Sequence, residues 1–190
     1  SVEQRSYYYN LLSELGADIL YLPVMKIKMK NEKFNLHNRF RKSDFEWILF
    51  TNELAVKYFF EIIKRENLDS RIFGEKRIAA IGNRTAEILK SFNLIPDLNI
   101  PEFEPDSFQN KFIKQKQIAG KKILRIQNDR PYDKIQQYLI NSNVTIEELN
   151  VYSVFENTLD EDLIIKLNEK NSDIFIFSDP SSIDYLFNAL

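Results

Sequence analysis

The chain contains no cysteine. That excludes disulfides and thiolate chemistry, and it suits a protein of a reducing compartment. One histidine, His37, argues against a histidine-rich metal site, and its setting in Asn35-Leu36-His37-Asn38-Arg39 reads as surface or packing. No uninterrupted apolar run approaches the roughly 20 residues of a membrane span. No basic-then-apolar stretch of the secretory type opens the sequence. These readings set the expectation of a cytoplasmic protein that spans no membrane. The formal net charge is only −2, so no global attraction to nucleic acid is expected, and an anionic ligand has to be held locally. No P-loop, dinucleotide-binding glycine set or serine-nucleophile motif is present.

What is present is an ordinary globular composition, 44% hydrophobic and 28% charged over 190 residues, enough for one or two small domains. Two turns stand out. Trp47-Ile48-Leu49 runs into Phe50-Thr51-Asn52-Glu53, and Asp173-Ile174-Phe175-Ile176 runs into Phe177-Ser178-Asp179-Pro180-Ser181-Ser182. Each is an apolar strand pattern ending in small polar residues ahead of an amphipathic stretch. A helix start presents unpaired N–H groups and partial positive charge, so two such turns on different domains fit a polyanionic ligand.

Strands are expected at 45–51, 76–81, 95–98, 121–127 and 144–149, with helices at 53–66, 84–92, 106–116 and 131–142. Strict alternation implies a parallel sheet with helices on both faces, a complete small domain. Residues 24–30 and 150–156 alternate with period two and are expected to pair as a two-stranded antiparallel connector. A helix at 3–15, a strand at 17–22, a helix at 159–170, a strand at 173–178 and a helix from 181 remain. The expected plan is α/β: residues 1–23 and 157–190 in a first, discontinuous domain, and residues 31–149 in a second. Both domains are expected to be parallel-sheet and flavodoxin-like. Two strands do not form a stable parallel sheet, so the first domain reads as incomplete, with an N-terminal strand and a C-terminal segment expected outside these 190 residues. Asp160, Glu161 and Asp162 read as a helix start favoured by the dipole, not as paired catalytic acids.

A family resemblance follows from motifs in order. They are Leu15-Gly16-Ala17 with Leu22-Pro23, Trp47-Ile48-Leu49-Phe50-Thr51 with Ala55-Val56 and Phe59-Phe60, and Ile78-Ala79-Ala80-Ile81-Gly82-Asn83-Arg84-Thr85-Ala86. Then come Gly120-Lys121-Lys122-Ile123-Leu124-Arg125, Val151-Tyr152, and Phe175-Ile176-Phe177-Ser178-Asp179-Pro180-Ser181-Ser182-Ile183. Together they resemble the uroporphyrinogen-III synthase family. The resemblance implies two α/β domains with linear hydroxymethylbilane bound in the cleft between them. It implies ring closure with inversion of the fourth pyrrole and loss of water, without a metal or organic cofactor. A monomer, in transient contact with hydroxymethylbilane synthase, is the expected state.

The resemblance makes Tyr152 the candidate that assists departure of the terminal hydroxyl, since a phenol with pKa near 10 donates a proton or a hydrogen bond. A strand tyrosine also serves packing alone. Thr51 and Asn52 fall where the family has Thr-Ser, and Asn caps helices well, so capping alone also explains the pair. Gly82, Asn83, Arg84 and Thr85 match the second family turn, with Gly82 free for a tight turn. Arg125 lacks the glycine that follows in the family but remains a bidentate carboxylate partner, or a surface ion pair. Ser178, Ser181 and Ser182 match the family's last turn, where Asp179 replaces a neutral hydroxyl and is left out of the site. The competing reading is a non-catalytic α/β module that closes on an anionic ligand.

Overall fold

The structure is a computed structural model and describes residues 9–101, 118–130, 134–169, 172, 174–177 and 181–189. The chain divides into two compact units, Ile27–Val154 and the pair of segments Ser1–Lys26 and Phe155–Leu190.

The larger unit is built on apolar runs bounded by turns. β1 (Met25–Met29) leads to α2 (Leu36–Lys42), β2 (Trp47–Phe50) and α3 (Glu53–Arg65). A short 3-10 turn, Ser70–Phe73, precedes β3 (Arg77–Ile81), α4 (Asn83–Ser91) and β4 (Leu98–Ile100). β5 (Lys122–Asn128), α5 (Lys134–Asn141) and β6 (Thr145–Glu156) complete it, while α1 denotes the helical residues 9–14. The sheet has six strands in the order β1-β6-β5-β2-β3-β4. The β2–β3, β2–β5, β3–β4 and β5–β6 pairs are parallel. Lys30 N–H bonds Val151 O and Asn157 N–H bonds Val24 O, so β1 runs antiparallel to β6. The fold is therefore mixed α/β with a mostly parallel sheet.

In chain order, the five parallel strands lie third, second, first, fourth, fifth across the sheet. Flavodoxin has its strands second, first, third, fourth, fifth. The order therefore differs from flavodoxin's and is the other doubly wound order. β5 lies on the side of β2 away from β3 and β4, which makes the β2–β5 gap the switch point.

Central strands are buried on both faces. Ile48, Phe50, Ile78, Ala80, Leu124 and Ile126 pack with Val56, Phe59, Ile62 and Leu89 of α3 and α4. Trp47, Leu49, Ala79, Ile81 and Ile123 pack with Ile118 and Leu139 on the other face. Each buried Phe, Leu or Ile contributes about 1.5–3 kcal/mol. Phe40, Phe45 and Phe73 close the lower edge, with Phe40 and Phe45 edge to face at 5.2 Å.

Two features were not legible locally. Glu66 accepts the N–H groups of Phe34, Asn35 and Leu36 at 2.9, 3.0 and 2.7 Å, and so starts α2 from a distance. His37 lies exposed on that helix. The strand expected at 95–98 begins instead at Leu98, because Asp97 Oδ2 takes the Ile78 N–H at 2.7 Å and ladder pairing starts only after it. Likewise, the runs expected as 144–149 and 150–156 form one strand, β6.

The smaller unit contains α6 (Glu161–Glu169) and α7 (Ser181–Ala189). Val24, Leu159 and Leu186 form its buried centre, flanked by Ile164, Leu167 and Tyr185. Residues 17–22 and 174–177 are not strands, contrary to expectation. A strand exists by its ladder, and among the described residues neither segment has one. The helix expected at 106–116, together with residues 173 and 178 of the last expected strand, lies outside the described residues.

Candidate functional site

The carboxyl ends of β2 and β5 and the part of β6 level with them converge on a small polar cluster at the switch point. Thr51 leaves β2 and donates from Oγ1 to Ile126 O of β5 at 3.2 Å. Asn52 is extended, with φ −163°, and caps α3: its Oδ1 accepts the Ala55 N–H at 2.9 Å. Asn52 Nδ2 donates to Thr51 Oγ1 at 3.4 Å. The Tyr152 hydroxyl donates to the same Asn52 Oδ1 at 3.2 Å.

Tyr152 gets there by a β-bulge. Gln127 is level with Asn150, but Asn128 is level with Tyr152, so Val151 is the extra residue. A bulge re-aims the side chains beyond it. Val151 and Tyr152 consequently both join the cluster on the α3 face, although they are neighbours in sequence. Tyr152 is 2% exposed, and the Tyr58 ring lies 5.3 Å from it at 37°. Burial pushes the Tyr58 phenol above its usual pKa, partly offset by Lys57.

The second turn opens α4. Gly82 sits at φ 90°, ψ 137°, and no side chain caps the helix. Gly82 N–H donates to Ile100 O at 2.7 Å and Asn83 N–H to Pro101 O at 3.2 Å. The Asn83 side chain accepts from Asn99 Nδ2 at 2.9 Å. The Arg84 guanidinium meets Glu53 and Glu87, each at 3.3 Å. Hydrogen bonds to Glu87 and Glu53 hold its pKa above the usual arginine value. Thr85 is 3% exposed and lies over Gly82, where an added Cβ would sit 3.5 Å from its Oγ1.

Arg125 differs from the expectation. It is not on the surface but buried in β5, 1% exposed, with Nη2 3.2 Å from Glu148 and 3.4 Å from Gln136. An internal carboxylate therefore occupies its guanidinium. Ser181 and Ser182 open α7 in the smaller unit, Ser182 buried. Ser178 and Asp179 lie outside the described residues.

The structure thus groups Thr51, Asn52 and Tyr152, places Gly82 to Thr85 at the neighbouring helix start, and seats Arg125 within the sheet. Sequence reasoning missed Tyr58 and Glu53. Tyr58 follows Leu54 by one turn on the flank of the apolar stripe, a signal available in the periodicity. Nothing local announces that Glu53 meets Arg84. Among the described residues, no group of three or more His, Cys, Asp or Glu is placed to hold a metal, and no helix is long and apolar enough to cross a membrane.

Open α/β sheets bind ligands in the crevice outside the strand carboxyl ends, at the switch point. The order of strands and the polar turns at that point define a doubly wound α/β protein with its candidate site between β2 and β5. A family model described as Uroporphyrinogen-III synthase HemD matches residues 7–190. The chain belongs to the uroporphyrinogen-III synthase family. The Porphyrin biosynthesis protein HemD of Ruminiclostridium josui is 26% identical over 148 residues, which cover 75% of this chain. The chain spans 28% of that relative's length. Among solved structures, a mutant uroporphyrinogen III synthase of the extremely thermophilic bacterium Thermus thermophilus aligns with TM-score 0.70 at 17% identity, over 100% of this chain and 74% of that one. A uroporphyrinogen-III synthetase of Helicobacter pylori aligns with TM-score 0.60 at 15% identity, over 89% and 71%. At these identities the structural likeness speaks for the fold.

Proposed function

We propose that the chain cyclises linear hydroxymethylbilane to uroporphyrinogen III, inverting the fourth pyrrole and releasing water. The family match over residues 7–190 carries this reading. The polar cluster at the switch point supports it, because a ligand with many carboxylates suits helix starts. The reaction takes place in a cleft between two α/β domains, residues 31–149 and the discontinuous 1–23 with 157–190. Residues 24–30 and 150–156 act as the two-stranded connector, and the cleft narrows on the substrate.

Electron-rich pyrroles and a hydroxymethyl group whose hydroxyl leaves as water once protonated ask little covalent chemistry of the protein. Its main task is to fold the chain of pyrroles so that the ends meet. In this reading the amides of Glu53 and Leu54, which have no intrahelical acceptor at a helix start, receive substrate carboxylates beside Thr51 and Asn52. The start of α4 at Gly82, Asn83, Arg84 and Thr85 receives a second set, and Ser178, Ser181 and Ser182 a third. Arg125 supports the sheet beneath, through Glu148. The Tyr152 phenol assists departure of the hydroxyl as water. The protein works as a cytoplasmic monomer without a cofactor, in transient contact with hydroxymethylbilane synthase.

A coupled assay with hydroxymethylbilane synthase tests the proposal. Formation of the III isomer above the background of spontaneous I isomer supports it. Only the I isomer, from a folded protein that still binds the bilane, overturns it in favour of a non-catalytic binding module.

A further inference from the structure

The polar cluster at the switch point is ordered in one direction. Thr51 O–H donates to Ile126 O, and Asn52 Nδ2 donates to Thr51 Oγ1. Asn52 Oδ1 accepts from Ala55 N–H and from Tyr152 O–H. The Ala55 amide can only donate, so the oxygen of the Asn52 side chain must face it. This fixes the amide's orientation without reference to the tyrosine. With the oxygen so placed, its second lone pair is the one the phenol reaches.

We propose that the Asn52 side chain is the positioning residue for Tyr152: it holds the phenol proton while it caps α3, and so ties the orientation of the phenol to the start of that helix. The inference rests on the reading of Tyr152 as the group that assists departure of water. Asn52 thereby does two jobs with one oxygen: Oδ1 caps the helix start and takes the hydrogen bond of the tyrosine. Tyr58, packed at 5.3 Å, limits tilting of the Tyr152 ring, and the Asn52 oxygen sets where the hydroxyl hydrogen points. To donate to a leaving hydroxyl the phenol must exchange acceptors, so Asn52 defines the resting state from which that exchange starts.

Asn52→Ser is the first test. Serine caps a helix about as well as asparagine, so α3 should persist, but its hydroxyl ends nearer the backbone and gives up the phenol. Asn52→Asp keeps both the cap and the acceptor. Two readouts are used. Tyrosine labelled with 13C at Cζ, with the Tyr152 resonance assigned by its loss in Tyr152→Phe, reports the phenol's hydrogen bonding with no substrate present. Steady-state kinetics on hydroxymethylbilane report the consequence. Asn52→Ser should move the Tyr152 resonance and lower kcat about five-fold, as expected for one lost hydrogen bond, with KM changed less than about two-fold. Asn52→Asp should keep the resonance in its hydrogen-bonded range. An unmoved Tyr152 resonance in folded Asn52→Ser would overturn the proposal, as would a raised KM with unchanged kcat, which would make the side chain a substrate ligand. If the wild-type protein forms no III isomer, the functional reading fails on its own, and the resonance still decides whether Asn52 holds Tyr152.

Discussion

Arg125 and Glu148 are register partners on β5 and β6, and their side chains meet at 3.2 Å. The arginine is 1% exposed and the glutamate side chain 37%. One end of the pair is therefore buried and the other wet.

This asymmetry decides what Arg125→Ala should do. Removing one partner of a buried pair costs about 3–5 kcal/mol, and the partial exposure of Glu148 places the expected loss at or below the lower end. Denaturant unfolding should show that loss. KM for hydroxymethylbilane, measured below the new transition, should change less than about two-fold, whereas a substrate-binding arginine would raise it by about ten-fold or more.

Tyr152→Phe should lower turnover by about 10- to 100-fold without abolishing it, at the low end of acid–base contributions. The III isomer should remain the enzymatic product, since the role proposed for the phenol is in loss of water and not in the choice of the ring that inverts. Product analysis by chromatography after a coupled reaction checks both statements. Unchanged turnover with normal stability would remove Tyr152 from the chemistry.

Gly82→Ala places a side chain at φ 90°, ψ 137°, where L residues are strained. The new Cβ meets Thr85 Oγ1 only at ordinary contact distance, 3.5 Å, so backbone strain is the whole cost. A destabilisation of about 1–3 kcal/mol is expected, together with weaker substrate binding if α4 shifts. Thermal unfolding of the variant measures the first, and KM the second.

Stability should fall in mild acid through Glu147. Burial alone would raise its carboxyl, but hydrogen bonds from Arg39 and Lys122 outweigh burial and hold it below its ordinary 4.5. The folded pKa is thus the lower one, and the unfolded chain binds the proton more readily. The contribution is present above about pH 4.5 and is lost as pH falls through the folded value. Glu147→Gln should flatten the stability profile between about pH 5 and 3, measured by urea midpoints. An unchanged slope would mean that the Arg39 and Lys122 contacts at 2.7 and 3.2 Å do not persist in solution.

The sheet was legible where the chain speaks locally. Trp47 to Phe50 and Arg77 to Ile81 are apolar runs closed by polar turns, and α3 repeats its apolar face at Ala55, Val56, Phe59, Ile62 and Ile63. What escaped was held from afar. α2 depends on Glu66, which lies 30 residues beyond Leu36, and β4 waits on a carboxylate that bonds the neighbouring strand. Thr51, Asn52 and Tyr152 were legible by motif, yet the link between Asn52 and Tyr152 spans 100 residues and has no local trace. Arg125 was read as a carboxylate partner or a surface ion pair because its partner, Glu148, belongs to the next strand and leaves no local trace.

In a regular strand only one of two adjacent residues faces a given helix. At Val151 and Tyr152 both do. The surplus residue therefore splits two duties that would otherwise compete for one position: valine fills the apolar seat, and tyrosine is left to answer to polar neighbours. The polar contact at Tyr152 can change by substitution while Val151 keeps its own seat in the core. A single deletion at Val151 would end that independence: Tyr152 would stay level with Asn128 and would itself have to fill the apolar seat.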